Sequence, residues 1–109
     1  MTNKRIVLTT APSQREARRI ANALVERRLA ACVNIVSGIE SVYRWKDKVE
    51  RAKEWLLVIK TTKFKTAGVE RAIKELHSYE VPECVVIGVE GGSKEYLAWL
   101  ERNVDRSGN

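Results

Sequence analysis

The chain begins with a short apolar run, Ile6-Val7-Leu8, that ends at Thr9-Thr10-Ala11-Pro12 and predicts a buried strand. From Ser13 the spacing becomes helical. Ala17, Ile20, Ala21 and Leu24 recur on one face, and Ser13 with Glu16 three residues later has the form of a capping box. After Arg28 the period drops to two, with Val33, Ile35, Ile39, Tyr43 and Trp45 on odd positions and Asn34, Glu40 and Arg44 on even ones. This predicts one long strand over residues 31–46. Trp45-Lys46-Asp47-Lys48 makes a polar turn, and Val49, Trp55, Leu57 and Ile59 resume the alternation toward Thr61 and Thr62, which closes a hairpin. A second helix is expected over residues 63–77, with Val69, Ala72, Ile73 and Leu76 on one face. Gly68 weakens it by up to about 1 kcal/mol relative to Ala. Pro82 closes the following loop, residues 84–89 predict another strand, and Gly91-Gly92 end it. Ser93 with Glu95 opens a short last helix holding Leu97 and Leu100, and the residues after Val104 are expected to fray.

The order strand, helix, strand, strand, helix, strand, helix is that of an α+β protein, a ferredoxin-like split β-α-β sandwich with a long β-hairpin and a short C-terminal helix. Its 109 residues predict a single domain over residues 1–109. Laid on itself with a shift of 52 residues, the sequence repeats. Thr9 and Thr10 fall on Thr61 and Thr62, Arg19 on Arg71, Leu24 on Leu76, Cys32 on Cys84, Val33 on Val85 and Ile35 on Ile87. The hairpin is too long for the domain. Sixteen strand residues span about 50 Å at roughly 3.3 Å each, whereas a compact domain of this length has a radius of gyration near 13 Å and is only about 35 Å across. Two outcomes are open. Gly38 marks a bulge at which the strand bends back over its own sheet, or the distal part, with Val42, Tyr43, Trp45, Val49 and Trp55, is covered by other copies of the chain in a closed assembly.

Twenty Lys and Arg against fourteen Asp and Glu give a net charge of +6 and an isoelectric point near 9.6. The excess is scattered among acidic residues, as on solvated faces. The strands expected to carry the stacking aromatics of an RNA-recognition fold hold one aromatic residue between them, so nucleic acid is not an expected partner. The longest apolar run, Trp55 to Ile59, is five residues, against roughly 18 for a membrane span, and no export signal opens the chain. A cytoplasmic protein with Cys32 and Cys84 reduced is the expectation. Phosphate-binding loops, nucleophile elbows and paired metal-binding histidines are absent from the sequence, so no catalysis is expected. One stretch gathers donors: His77, Glu80, Glu83 and Cys84 suit copper or zinc, while the alternative reading has His77 capping the second helix and Glu83 outside the strand. Thr9-Thr10 and Thr61-Thr62, each at a strand-to-helix passage, have a second use as an anion cradle or simply as caps.

The runs Ala30-Ala31-Cys32-Val33-Asn34 and Ser41-Val42-Tyr43-Arg44-Trp45-Lys46 are joined by Glu54, Lys60-Thr61-Thr62, and His77 with residues 79–83. Together they closely resemble the CutA divalent-cation tolerance family, over about residues 5–102. The resemblance implies a ferredoxin-like subunit in a homotrimer whose long hairpins pair with neighbouring subunits, a cytosolic role in tolerance of divalent metals, chiefly copper, and no required cofactor. Members of the family that bind copper carry a cysteine at the end of the first strand and two adjacent histidines at the end of the second helix. This chain has Thr9, Leu76 and His77 there, so a Cu(II) site of His77, Glu80, Glu83 and Cys84 would be a different one. The rival reading is a small-anion or nucleotide sensor similar to the nitrogen-regulatory P-II proteins, with Arg44, Lys60, Thr61, Thr62 and Lys63 lining a cleft between subunits.

Overall fold

A computed structural model describes residues 1–106, and its elements follow in the expected order: β1 Lys4–Ala11, α1 Gln14–Glu26, β2 Cys32–Trp45, β3 Lys48–Thr62, α2 Thr66–Leu76, β4 Val85–Gly88 and α3 Lys94–Arg102. β1 is longer than its apolar run because Thr9, Thr10 and Ala11 continue the ladder with β3. The second helix starts later than expected, since the Lys65 N–H closes a turn on the Thr62 carbonyl at 3.0 Å and keeps residues 63–65 outside it. α1 begins where its capping residue dictates: the Ser13 hydroxyl accepts the Glu16 N–H at 3.1 Å.

The four strands form one antiparallel sheet in the order β2-β3-β1-β4, so β3 lies between the two strands that α1 connects. In β1 and in β3 from Trp55 onward, odd positions face the helices. Val7, Ala11, Leu57 and Ile59 meet Ile20, Leu24, Val69 and Ile73 in a core from which solvent is excluded. The opposite face is covered at one end by α3, where Leu100 and Val104 pack on Ala31, and Lys4 Nζ reaches Glu101 at 2.5 Å. Val36, Val85 and Ile87 remain over 40% exposed. Beyond Val104, where fraying is expected, the Asp105 N–H bonds the Arg28 carbonyl at 2.9 Å. Residues 107–109 lie outside the described residues. Among the described residues no helix is long and apolar enough to cross a membrane.

The hairpin outruns the sheet. β1 pairs β3 only as far as Ala11 opposite Trp55. Beyond that point Ile39–Trp45 and Lys48–Glu54 pair with each other alone, in register from Ile39↔Glu54 to Trp45↔Lys48. At the base of this arm Ser37 and Gly38 oppose Trp55 in a bulge, with Gly38 at φ +77°. The bulge is therefore present, yet it does not fold the arm back onto its own sheet: Val42, Tyr43, Trp45 and Val49 are 41–61% exposed. The arm draws the molecule out to 43 × 25 × 22 Å with a radius of gyration of 14.3 Å. Trp55 departs from the other residues expected at an interface, because its position opposite Ala11 turns it onto the protein's own core.

Candidate functional site

α2 ends by extending. His77 takes φ −84° and ψ 143° while its N–H closes the last turn on the Ile73 carbonyl. Its ring is thereby driven between the end of β1 and the first turn of α1. Nε2 donates to the Thr10 carbonyl at 2.6 Å, and Nδ1 accepts the Tyr79 N–H at 3.0 Å. Both ring nitrogens are thus committed to backbone. Glu16 Oε2 stands 3.2 Å from Nδ1 and accepts both the N–H and the hydroxyl of Ser78, at 3.0 and 3.1 Å. Glu16 does not close the capping box on Ser13. It ties the loop after α2 to α1 instead.

Beyond His77 the loop turns onto the root of the arm. The Tyr79 ring packs against His77 at 4.7 Å, and its hydroxyl donates to Glu54 Oε2 at 2.6 Å. Glu54 sits where β1 stops, and it is 6% exposed. Burial, with the Glu54 hydrogen bond and charge next, pushes the Tyr79 hydroxyl well above the usual phenol range. Burial and the Glu54 charge likewise raise the Glu83 carboxyl. These groups border a cavity of about 600 Å3, walled on one side by Glu54, Tyr79 and Glu83 and on the other by Tyr43 and Trp45 of the arm. Hydroxyl, carboxylate and indole groups on such a wall can hydrogen-bond and stack.

The four donors proposed for a metal are not gathered. His77 offers no free nitrogen, and Glu80 and Glu83 reach the cavity wall without it. Burial, followed by the charges of Glu70 and Glu83, raises the Cys84 thiol despite Lys74, which disfavours the thiolate a metal would need. Among the described residues no three His, Cys, Asp or Glu side chains form a group able to hold a metal ion. The chain as it stands does not fit Cu(II) at these positions.

The anion cradle also comes apart. Successive residues on a strand point to opposite faces, so Thr61 turns under the helices and donates to the Leu29 carbonyl at 2.6 Å, while Thr62 is buried on the other side. Lys60 lies over the Tyr96 ring and Lys63 over Phe64. Arg44 is at the far end of the arm, opposite Val49, about 40 Å of strand from Thr61 at roughly 3.3 Å per residue. Sequence reasoning names Glu16 only as a capping residue and Glu54 only as part of the family resemblance, and assigns neither to the site. The available signal at Glu54 is a lone acid opening the apolar run of residues 55–59.

A model of the family described as CutA1 divalent ion tolerance protein matches residues 5–103. The divalent-cation tolerance protein CutA of Thermus thermophilus is 50% identical over 98 residues, which cover 90% of this chain and 95% of that protein. The chloroplastic Protein CutA of Arabidopsis thaliana is 42% identical over 98 residues, and the match spans 54% of its length. A solved structure of the divalent cation tolerance protein from Thermus thermophilus superposes with a TM-score of 0.92 at 48% identity, covering 94% of this chain and 99% of that one. With the family model matching residues 5–103 and the Thermus thermophilus structure superposing over 94% of the chain, the chain belongs to the CutA1 divalent ion tolerance protein family.

Proposed function

We propose that the chain works as a non-enzymatic homotrimer in the cytoplasm, serving in the tolerance of divalent metal ions, with the arm of each copy lying on its neighbour. The observation that carries this reading is the arm itself, two strands of seven residues with four large apolar side chains exposed and, among the described residues, no third strand beside them. An isolated two-stranded ribbon is marginal in water, and its edges invite pairing. The half-bare sheet face of Val36, Val85 and Ile87 is the apolar surface within one subunit that a neighbour can cover. An arm laid on the next copy is a head-to-tail contact, which gives a ring when the rotation between copies closes. Three is the number that the resemblance to the family implies. The subunit itself is read as ferredoxin-like, since β3 is inserted between β1 and β2.

Because Tyr43 and Trp45 wall the cavity from the arm, a neighbour that seats the arm also shapes that cavity, and the working site in this reading is the root of the arm. The tolerance role uses no resident Cu(II) on His77. Sedimentation equilibrium tests the assembly: the full chain is expected at three times 12.4 kDa with Cu(II) and with chelator alike. A variant in which residues 42–53 are replaced by a tight turn is expected to sediment as monomer or to aggregate. A threefold mass retained by that variant overturns the reading.

A further inference from the structure

The sequence repeat is realised in the fold. Exchanging β1 with β3, α1 with α2 and β2 with β4 returns the sheet order β2-β3-β1-β4 to itself. The shift of 52 residues converts the register pair Thr9↔Leu57 into Arg5↔Thr61, which is also paired. Each feature of one half therefore has a counterpart in the other, and the counterparts around Glu16 differ in chemistry. Pro12, Ser13, Glu16 and Arg19 correspond to Phe64, Lys65, Gly68 and Arg71.

In the first half the Glu16 carboxylate fills the angle between the helices and gathers the loop after α2, while the Arg19 guanidinium holds the Leu76 carbonyl at 2.6 Å. In the second half the carboxylate is missing. What stands there is a cavity of about 600 Å3 between the end of α1 and the start of α2, bounded by Arg27, Leu29, Phe64, Lys65, Gly68 and Arg71. The Arg71 guanidinium makes no hydrogen bond or ion pair with another described residue. Arg27 is engaged by Glu75 at 3.0 Å, in a pair whose side chains are 46% and 62% exposed. Such an exposed pair contributes little and yields readily to a competing ligand. Two guanidinium groups, Arg27 and Arg71, against the single Glu75 carboxylate leave this part of the wall with an excess of positive charge. Its remaining surface is apolar, with Phe64 51% exposed. A Cβ at Gly68 would lie 3.0 Å from Leu29 Cδ2, so the leucine side chain packs directly on the glycine and forms part of the apolar wall.

We propose that this cavity binds a small carboxylate carried on an apolar body, its carboxylate held by Arg71 with Arg27 and its body seated on Leu29 and Phe64. The ligand supplies from outside the charge that Glu16 supplies internally in the other half. A guanidinium–carboxylate contact is frequently bidentate and charge-assisted, and the apolar wall selects against bare inorganic anions. The site lies on the helical side of the sheet, away from the arm, and does not depend on the tolerance reading or on assembly.

Phenylacetate titrated into the 15N-labelled full chain tests this by amide chemical-shift perturbation. Saturable shifts are expected at Gly68, Ala72 and Leu29, with no saturable shift at Glu54 or Tyr79. Arg71→Ala, a surface change, is expected to raise the dissociation constant about tenfold, as loss of one charge-assisted hydrogen bond predicts, and the uncharged analogue 2-phenylethanol to give no saturation. The proposal is overturned if the shifts do not saturate, if 2-phenylethanol matches phenylacetate, or if Arg71→Ala titrates like the unaltered protein.

Discussion

Glu54 and Tyr79 are 25 residues apart in sequence and meet at 2.6 Å. The carboxylate is 6% exposed, so the tyrosine hydroxyl is a donor it cannot replace with bulk water. Tyr79→Phe keeps the ring on His77 and removes only that donor. It is expected to lower stability by about 1–3 kcal/mol in urea unfolding, the usual cost of stranding a buried polar partner. Glu83 shows the converse. Its carboxyl is raised, so the folded state prefers it protonated, and its contribution is favourable below the ordinary carboxylate range and lost as pH rises through the folded value. Glu83→Gln is therefore expected to melt higher than the unaltered protein at pH 7, with the difference vanishing near pH 4. Equal melting differences at both pH values would show that burial and the Glu54 charge do not raise its carboxyl. None of these pairings leaves a local sequence mark. The partners of His77 are a backbone carbonyl and a backbone N–H, and those of Glu16 lie 62 residues away.

At the scale of elements, periodicity carried far. α1, with Ala17, Ile20, Ala21 and Leu24 buried, follows its 3.6-residue pattern, β3 follows its period of two, and β2 does so as far as the bulge at Ser37 and Gly38, beyond which Ile39, Tyr43 and Trp45 lie on the face opposite to that of Val33 and Ile35. The ends were less legible, since a single backbone bond from Lys65 to Thr62 decides where α2 begins. The same alternation that revealed the hairpin also separates Thr61 from Thr62, which residue chemistry had grouped as one cradle. Gly38 is the joint between sheet and arm. Nothing lies within 4 Å of a Cβ built there, so space is not the constraint, whereas φ +77° is. Gly38→Ala is expected to cost about 1–2 kcal/mol, the strain of a left-handed non-glycine residue, read as a lowered midpoint in thermal unfolding. An unchanged midpoint would mean that the bulge relaxes without loss.

The whole molecule has its core at one end and bare apolar strand at the other. Leu57 and Ile59 of β3 are fully buried, whereas Val49, eight residues before Leu57 on the same strand, is 61% exposed. Packing within one chain does not reach the arm because β1, eight residues long, ends at Ala11. Removing residues 42–53 is accordingly expected to spare the core and abolish assembly, since the deleted segment pairs only with itself within the subunit. The charge of +6 takes on meaning at this scale through placement: Arg27, Lys65 and Arg71 converge on one cavity, while Arg44 and Lys60 do not.

The sequence by itself determined the kind and order of the elements, the overlong hairpin and the family, because hydrophobic period and strand length are local properties that burial enforces residue by residue. Only the tertiary structure decided which polar groups meet. It closed both nitrogens of His77 on backbone, buried Glu54 under Tyr79, bound Glu16 to the loop after α2, and left its counterpart Gly68 facing an open cavity. Such meetings depend on chain crossings tens of residues apart and on backbone donors that every residue carries alike, and for that reason no pattern of side chains announces them.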